Sequence, residues 1–349
     1  MAMKPLRVLH VPDLVGGNAP ALARAEREVG LSSSCVAFVE SPFGYAADEI
    51  LRAPGVGRAT FERRRLQLLW RALAKADVVH FNFGRSILPR SLALRELPLL
   101  RAAGKVIVVT YQGDDARMAE GSPIARLDPT YYTPEGDELK RRSIAAFDRY
   151  ADRIFFLNPD LARYLPERAR FMPYAHVDPR DSQPAASDQA RFRVAHAPSD
   201  RAAKGTRYVL DAVETLRAEG VDFDFELIEG ISNAEARRRY EHVDLFVDQL
   251  VVGWYGGVAV EVMALAKPVI AHINTRDLGV VPDDFVRDLP VIDATTDSIT
   301  AVLRDLVTAR REELSEIGRA SRRFVEAHHD PRRIALHLKH EYEDAVGAR

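Results

Sequence analysis

Short apolar runs alternate with stretches of helical periodicity along most of the chain. In the first half, the apolar runs that predict strands are 6–11, 35–39, 78–83, 106–111 and 154–157. Between them, helical periodicity is clearest over 61–75, 92–103 and 134–150. Because the runs are continuously apolar, the pattern predicts a parallel sheet that is covered on both faces by helices and joined by right-handed crossovers.

A second alternating set follows a stretch rich in Pro, Ser and Asp over 178–188. The strands predicted there are 192–196, 223–228, 245–247, 268–273 and 291–293. The helices between them are predicted at 204–218, 234–241 and 258–265, and helices continue to the C-terminus. We therefore expect an α/β protein with two doubly wound, Rossmann-like domains that face each other across a cleft. Ligands of such sheets bind outside the carboxyl ends of the strands.

This interpretation divides the chain into four parts. The first domain covers 1–177, the linker 178–188 and the second domain 189–330. The C-terminal helix, 331–349, is a candidate to pack back on the first domain.

Composition and charge narrow the function classes. The 349 residues carry a formal net charge of -2, so we expect no nucleic-acid partner. The single cysteine, Cys35, excludes an intrachain disulfide and a cysteine-rich zinc site, and both points fit a cytoplasmic protein. The N-terminal apolar stretch is too short for a signal peptide, and no run approaches the roughly 20 apolar residues that span a bilayer.

The segment HAPSDRAAKGT, 196–206, is the first candidate for chemistry. It follows a predicted strand and carries Arg201 and Lys204, and Gly205 and Thr206 open the next helix. A guanidinium fork, an ammonium and the N–H groups of a helix start suit a diphosphate, whose charge grows when it becomes a leaving group. The alternative is a solvated loop with incidental charges.

The second candidate is the segment 244–273, in which a strand ends near Asp248 and a glycine-rich loop leads into an apolar helix. Gly256 and Gly257 would let the backbone approach a ligand closely. Glu261 is the one acid in that helix, and a buried carboxylate needs a partner. A ribose diol is one such partner, and a structural salt bridge is the other.

In this order and at this distance, the two segments resemble the C-terminal domain of family 4 retaining glycosyltransferases, which have the GT-B fold. The resemblance implies transfer of a sugar from a nucleotide diphosphate sugar to a glycan, a lipid-linked acceptor or a small molecule. It implies that Arg201 and Lys204 hold the donor diphosphate and that Glu261 binds the donor ribose. It implies retention at the anomeric carbon, with no cofactor and no metal.

One departure from the family pattern concerns the donor sugar. The family's first glutamate stands eight positions before Glu261, where this chain has Gly253, whereas Gly256 matches the motif glycine. Asp248 and Gln249 are the candidates to replace the missing contact. The departure leaves two alternative functions open: a non-catalytic nucleotide- or glycan-binding protein, and a nucleotide-sugar epimerase.

The first domain carries weaker resemblances to the same family. Gly16 and Gly17 resemble its glycine turn near the donor phosphate, although a plain tight turn explains them equally well. Gln112 stands where the family often has histidine, and it can bond a sugar hydroxyl but cannot act as a base. Asp114 and Asp115 follow, either to bind the acceptor or to cap the next segment.

The 61–75 helix combines five basic residues with an apolar stripe that includes Leu66 and Trp70. Such a helix is a candidate for peripheral contact with an anionic membrane. The alternative is that the apolar stripe faces the core.

Overall fold

The computed structural model describes residues 4–185 and 191–349. Within that part, the chain forms two compact units. Unit 1 contains the chain up to Met118, Tyr132–His176 and Pro331–Arg349, and unit 2 contains Ala119–Tyr131 and Val177–Asp330. The excursion Ala119–Tyr131 therefore belongs to unit 2, although the sequence pattern placed it in the first domain. Residues 186–188 of the expected linker lie outside the described residues.

The helices and strands follow the alternation of the sequence. The strands are β1 Arg7–Val11, β2 Ser32–Ala37, β3 Glu49–Ile50, β4 Val78–Asn82, β5 Val106–Tyr111, β6 Arg153–Phe156, β7 Arg170–Phe171, β8 Arg193–His196, β9 Asp224–Leu227, β10 Leu245–Val247, β11 Val269–Ala271 and β12 Ile292–Asp293. The helices are α1 Asn18–Glu28, α2 Arg58–Lys75, α3 Glu96–Ala102, α4 Pro123–Leu127, α5 Pro134–Tyr150, α6 Arg201–Lys204, α7 Thr206–Ala218, α8 Asn233–Tyr240, α9 Gly257–Ala264, α10 Asp283–Asp288, α11 Ile299–Val307, α12 Leu314–His328 and α13 Pro331–Gly347.

Unit 1 is built on a parallel seven-stranded sheet in the order β3-β2-β1-β4-β5-β6-β7. One face, with Leu9 and Val79, packs under α2, α3 and α5, and the other, with Val8 and Val78, packs under α1 and α13. All six residues of β5 are buried, as its continuous β-branched run predicts. The predicted bounds of β5 and α5 are confirmed at both ends.

Unit 2 holds a parallel five-stranded sheet in the order β12-β11-β10-β8-β9. Strands β8 and β10 are neighbours in its middle, with His196 beside Val247. Their carboxyl ends therefore bring the loop after β8 next to the loop after β10. These are the two segments in which the sequence places its candidate chemistry.

The helix predicted at 204–218 is divided in two by Gly205. This glycine has φ +76, in the left-handed region, so α6 ends at Lys204 and α7 begins at Thr206. The helix predicted at 92–103 is also shorter, because α3 starts only at Glu96. A single periodic stretch in the sequence does not reveal where one residue leaves helical dihedral angles.

A buried network of hydrogen bonds joins α13 to the sheet of unit 1. Tyr342 donates its O–H to Glu26 Oε1 at 2.9 Å, and the Tyr342 hydroxyl oxygen in turn lies 2.7 Å from His80 Nδ1. His80 Nε2 lies 2.7 Å from Thr110 Oγ1, and His10 Nε2 lies 2.8 Å from Glu26. Because burial lowers the pKa of His80 well below its usual value, the ring is neutral, donating from Nδ1 and accepting at Nε2.

The same cluster has the composition of a metal site. The ligand atoms of His10, Glu26 and His80 lie within 4.8 Å of one another. Each of these side chains is already engaged by a hydrogen bond within the network. The network thus fixes α13 on unit 1 and, through His10, reaches Asn82 at the end of β4, whose Nδ2 lies 3.4 Å from His10 Nδ1.

The apolar residues of helix α2 are divided between the core and the surface. Leu68, Leu69 and Ala72 are buried in the core of unit 1, whereas Leu66 and Trp70 are exposed. Part of the stripe therefore faces the core, and part of it faces outward. Over the described ranges, no helix has the length and apolarity that crossing a membrane requires.

Candidate functional site

The loop after β8 is held at both ends by a buried histidine. His196 Nδ1 donates to the carbonyl of Val247 at 2.8 Å, and Thr206 Oγ1 lies 2.9 Å from His196 Nε2. Burial lowers the pKa of His196 to about 4, so the ring is neutral at pH 7 and Nε2 accepts from the threonine hydroxyl. The start of α7 is thereby tied to the ends of β8 and β10.

Lys204 is directed by the shape of the backbone around it. The Asp200 side chain caps α6 by accepting from the N–H of Ala203 at 2.8 Å. The left-handed Gly205 ends the helix, and a Cβ there would lie 3.3 Å from Leu250 Cβ. Leu250 N also donates to the Lys204 carbonyl at 3.1 Å, so the loop after β10 packs against the end of α6.

The Lys204 side chain is only 11% exposed and ends on a carboxylate. Its Nζ donates to Asp248 Oδ1 at 2.8 Å, and Asp248 Oδ2 accepts the backbone N–H of Gly256. A buried charge is tolerated only when it is paired, and here each charge has its partner. Lys204, Asp248 and Gly256 therefore form one group, called here the lysine–aspartate group.

Gly256 is required by space and not by backbone angle. Its φ of -99° is ordinary, but a Cβ there would lie 2.5 Å from Lys204 Nζ and 3.3 Å from Asp248 Oδ2. Gly257 begins α9 directly after it. The missing side chain thus leaves an ammonium beside the N-terminus of a helix, an arrangement that favours an anion.

Arg201 is engaged elsewhere in this conformation. Its guanidinium makes a bidentate pair with Glu229, with Nε 2.9 Å from Oε1, and its side chain is 61% exposed. Lys204 and Arg201 thus bind different carboxylates. In this structure each of the two cations is paired with a carboxylate of its own, and their joint role at a diphosphate stays a prediction.

Glu261 lies on α9 and is buried. Its Oε1 accepts from Asn233 Nδ2 at 2.8 Å. Burial raises the pKa of Glu261 to about 7, and the Asn233 hydrogen bond and the charge of Arg237 oppose that rise. Near neutral pH this carboxyl is therefore close to its midpoint, where an additional hydrogen-bond donor would favour the ionised form.

Gly253 occupies the position that departs from the family pattern. Its φ is +38°, and a Cβ there would lie 2.6 Å from Asn274 Cβ. A glutamate does not fit at this position without movement of the Asn274 segment. The two candidates to replace it are already bonded: Asp248 within the lysine–aspartate group, and Gln249 Nε2 to the carbonyl of Trp254.

A cavity of about 400 Å³ in unit 2 lies beside α6 and α7. Leu127 and Asp128 of the excursion line it together with Arg201 and Tyr208. Tyr131, also in the excursion, donates to the Asp200 cap at 3.2 Å. The cavity is thus next to the candidate loop, but its lining contains Arg201 and not Lys204.

In unit 1, different features explain the two glycines of the turn after β1. Gly16 has φ +58° and open space around its Cα, whereas Gly17 has φ +70° and a Cβ there would lie 2.6 Å from the ring of Tyr45. Gly17 is thus explained by packing and by its N-cap position on α1. Gly16 leaves the backbone accessible.

The two acids after β5 have different roles. Asp115 accepts the backbone N–H groups of Gln112 at 3.0 Å and Gly113 at 2.8 Å, and burial raises its pKa to about 7. It therefore closes the turn that precedes it, whereas the predicted alternative was a cap on the following segment, and the next helix is capped by Ser122 instead. Asp114 is partly exposed and accepts from Tyr132 Oη at 2.9 Å.

A row of carboxamides lies along the carboxyl edge of the unit 1 sheet, and sequence reasoning missed all of its members except Gln112. Asn18 accepts from Ala175 N at 2.7 Å, and Asn158 donates to the Gln112 carbonyl at 2.6 Å. Within the described residues, Asn18 Nδ2, Asn82 Oδ1 and Gln112 Nε2 are buried and have no hydrogen-bond partner. The signal was present in the sequence, because Asn82, Gln112 and Asn158 each stand at or just after a strand end.

The whole chain resembles solved structures in architecture. One of them is sucrose-phosphate synthase from Thermosynechococcus elongatus, with a TM-score of 0.66 and 15% identity. The match covers 99% of this chain and 100% of that one. The catalytic domain of starch synthase IV from Arabidopsis thaliana, bound to ADP and acarbose, gives a TM-score of 0.64 at 11% identity, covering 98% of this chain and 100% of that one. HepE from Anabaena, in complex with UDP and glucose, gives 0.60 at 12% identity, covering 97% and 100%.

The chain has the GT-B fold. No protein-family model matches its sequence, and no curated protein matches it either. At identities of this order, the likeness establishes the GT-B architecture and leaves residue roles to the geometry of this chain.

Within this GT-B chain, the structure brings some predicted site residues together and separates others. Lys204, Asp248 and Gly256 form one bonded group. Arg201 is held by Glu229, and Glu261 by Asn233. In the other unit, the remaining predicted residues lie after β1 and β5. These are Gly16, Gly17, Gln112 and Asp114.

Proposed function

We propose that this protein is a glycosyltransferase that moves a sugar from a nucleotide diphosphate sugar to an acceptor hydroxyl, with retention at the anomeric carbon. The observation that carries the proposal is the lysine–aspartate group. A buried ammonium stands beside a helix start, and the absence of a side chain at Gly256 allows Lys204 Nζ to lie there.

The diphosphate of the donor is proposed to bind at Lys204, beside the N-terminus of α9. The ammonium has three donors, of which Asp248 uses one, so phosphate oxygens are able to take the others. When the bond to the sugar breaks, negative charge grows on the leaving diphosphate, and a fixed cation stabilises it. In this proposal no metal ion is needed for that task, and Arg201 joins when it exchanges Glu229 for phosphate.

The ribose of the donor is proposed to bind at Glu261. A carboxylate accepts hydrogen bonds from both hydroxyls of a diol, which compensates its burial. Burial raises the pKa of Glu261 to about 7, so the hydroxyl donors of a bound ribose would favour its ionised form. The neighbours with bound UDP and ADP support a nucleotide ligand for this fold.

The acceptor is proposed to bind unit 1, at the carboxamide row and at Asp114. Gln112 Nε2 and Asn82 Oδ1 offer one donor and one acceptor, both neutral, which suits a sugar hydroxyl. A bonded partner would also remove the cost of leaving these atoms unsatisfied.

The test is nucleotide binding measured by thermal shift and calorimetry. UDP, GDP and ADP are each titrated into the wild type, Lys204→Ala and Arg201→Ala. We expect at least one nucleotide to raise the melting temperature and Lys204→Ala to weaken its binding by about 30-fold, or ~2 kcal/mol. Arg201→Ala is expected to have a smaller effect, because its guanidinium must first leave Glu229.

The matched control is Arg217→Ala, an exposed cation of α7. It should leave the affinity unchanged. If no nucleotide stabilises the wild type, or if Lys204→Ala binds as well as the wild type, the proposal is wrong.

One observation favours a second candidate, a non-catalytic nucleotide-binding protein. Gly253 leaves no room for the glutamate that its family resemblance would place there. Incubation of a labelled nucleotide sugar with a panel of acceptors separates the two functions. Transfer of the label supports the enzyme, and binding without any turnover supports the alternative.

A further inference from the structure

The outward face of α2 combines apolar side chains with solvent exposure. Trp70 is 62% exposed and Leu66, one turn earlier, is 52% exposed. Exposed Arg63, Gln67 and Ala74 lie on the same ridge at helical spacing. Two large apolar side chains lie side by side on this ridge, and each is more than half exposed. Such a pair indicates a surface that a partner covers. We call Arg63, Leu66, Gln67, Trp70 and Ala74 the α2 ridge.

The opposite face of α2 fixes the helix to unit 1. Leu68, Leu69 and Ala72 are buried in the core. Arg65 donates from Nε to the carbonyl of Ile87 at 2.7 Å, and Arg64 donates to that of Leu51 at 2.7 Å. Because these contacts hold the helix on its inner side, the α2 ridge is already formed before a partner arrives.

The charge of α2 is strongly positive in a chain whose net charge is -2. The helix contains six basic residues and one acidic residue. Arg71 pairs with Glu49 at 2.6 Å and Arg65 with Glu62 at 3.4 Å. The remaining exposed cations are Arg58, Arg63 and Lys75, which stand at both ends of the ridge and within it.

We propose that the α2 ridge docks on the surface of an anionic lipid bilayer. Tryptophan and leucine would enter the headgroup boundary, and the cations would bind lipid phosphates. A second copy of this chain fits less well, because a symmetric contact would bring two strongly basic helices together. The contact is peripheral, since α2 stays bonded to unit 1 along its inner face.

This inference goes beyond the proposed transferase activity, and its test needs no donor or acceptor. The protein is mixed with vesicles of phosphatidylcholine alone, or of phosphatidylcholine with phosphatidylglycerol, and the bound fraction is measured by sedimentation. Tryptophan fluorescence reports the ridge directly. The chain has two tryptophans, and Trp254 is fully buried, so a change on vesicle addition comes from Trp70.

We expect binding to the anionic vesicles with a blue shift of the emission, and no blue shift in Trp70→Phe. The double variant Leu66→Ser, Trp70→Ser should lose binding. Arg63→Glu with Lys75→Glu should weaken it by more than about 20-fold, because each basic residue near an anionic surface contributes about fivefold.

The matched controls lie on other helices. Leu139→Ser changes a leucine of α5 that is 49% exposed, and Arg217→Glu reverses an exposed charge of α7. Both should bind like the wild type, and all variants should keep the melting temperature of the wild type.

Three results would overturn the proposal. They are an absence of vesicle binding, equal binding to neutral and anionic vesicles, and binding that survives the change of Leu66 and Trp70 to serine. Self-association in solution that the serine variant abolishes would assign the ridge to a second copy instead.

Discussion

The lysine–aspartate group of unit 2 and the carboxamide row of unit 1 stand at equivalent places, each beyond the carboxyl ends of a parallel sheet. The first is charged and internally bonded, with Lys204 Nζ 2.8 Å from Asp248. The second is neutral, and Asn82 and Gln112 each retain a buried polar atom without a hydrogen-bond partner in the described part of the chain.

In the proposed function, this contrast corresponds to two different ligands. A buried cation is suited to phosphate, and Asp248 keeps it paired while the site is empty. Neutral carboxamides match hydroxyl groups, which carry both a donor and an acceptor. In the proposed transferase, the charged group of unit 2 would face the donor diphosphate, and the neutral carboxamides of unit 1 would face the acceptor.

The largest effect that tests this contrast is on stability. Asp248→Asn removes the charge that pairs with Lys204, and an unpaired buried ammonium destabilises the fold by about 3 kcal/mol. The measurement is urea unfolding at pH 7. The comparison in unit 1 is Gln112→Leu, which removes an atom that has no partner and should stay within about 1 kcal/mol of the wild type, or exceed it.

If Asp248→Asn and Gln112→Leu lowered the free energy of unfolding equally, the contrast between the two units would be wrong. They would mean that the Gln112 amide is bonded in solution, or that Lys204 leaves its buried position when Asp248 is neutral.

A smaller effect is expected in the pH dependence of nucleotide binding. Because the folded protein raises the pKa of Glu261 to about 7, the carboxyl is protonated below that pH and cannot accept from both ribose hydroxyls. The affinity should fall about tenfold for each pH unit below 7 and level off above it. The ligand should be a nucleotide sugar, because the terminal phosphate of a nucleoside diphosphate titrates near pH 6 itself.

The control is Glu261→Gln, whose affinity should not vary with pH in this range. The pH dependence of the free energy of unfolding, compared between the wild type and Glu261→Gln, gives a second test with a defined sign. The wild-type carboxyl holds its proton up to pH 7 when folded and releases it near pH 4.5 when unfolded, so its contribution to stability falls as pH rises through that window. The glutamine variant should lack this slope. A pH profile shared by both proteins would remove Glu261 from the site.

From the sequence we predicted the alternation of helices and strands, and we singled out the charged candidate residues of the site in unit 2. Glu261 was singled out because an acid in an apolar helix contradicts its surroundings, and Lys204 because its loop follows a strand and opens a helix; their roles stay predictions. The bidentate pair of Arg201 with Glu229 was not predicted, because it depends on which way a one-turn helix directs its side chains. The need for Gly256 became clear only with the position of Lys204 Nζ.

Other features required the three-dimensional contacts. The excursion Ala119–Tyr131 carries no charge run or glycine cluster that marks its move to unit 2. The carboxamides are common polar residues, and their importance follows from buried atoms that a periodic pattern does not report.

A crystal structure of the protein with the nucleoside diphosphate that stabilises it best would test the central claim most directly. We predict a phosphate oxygen within hydrogen-bonding distance of Lys204 Nζ and a ribose hydroxyl on Glu261. A nucleotide bound in the cavity beside Arg201 and Tyr208, with the lysine–aspartate group unchanged, would contradict the account.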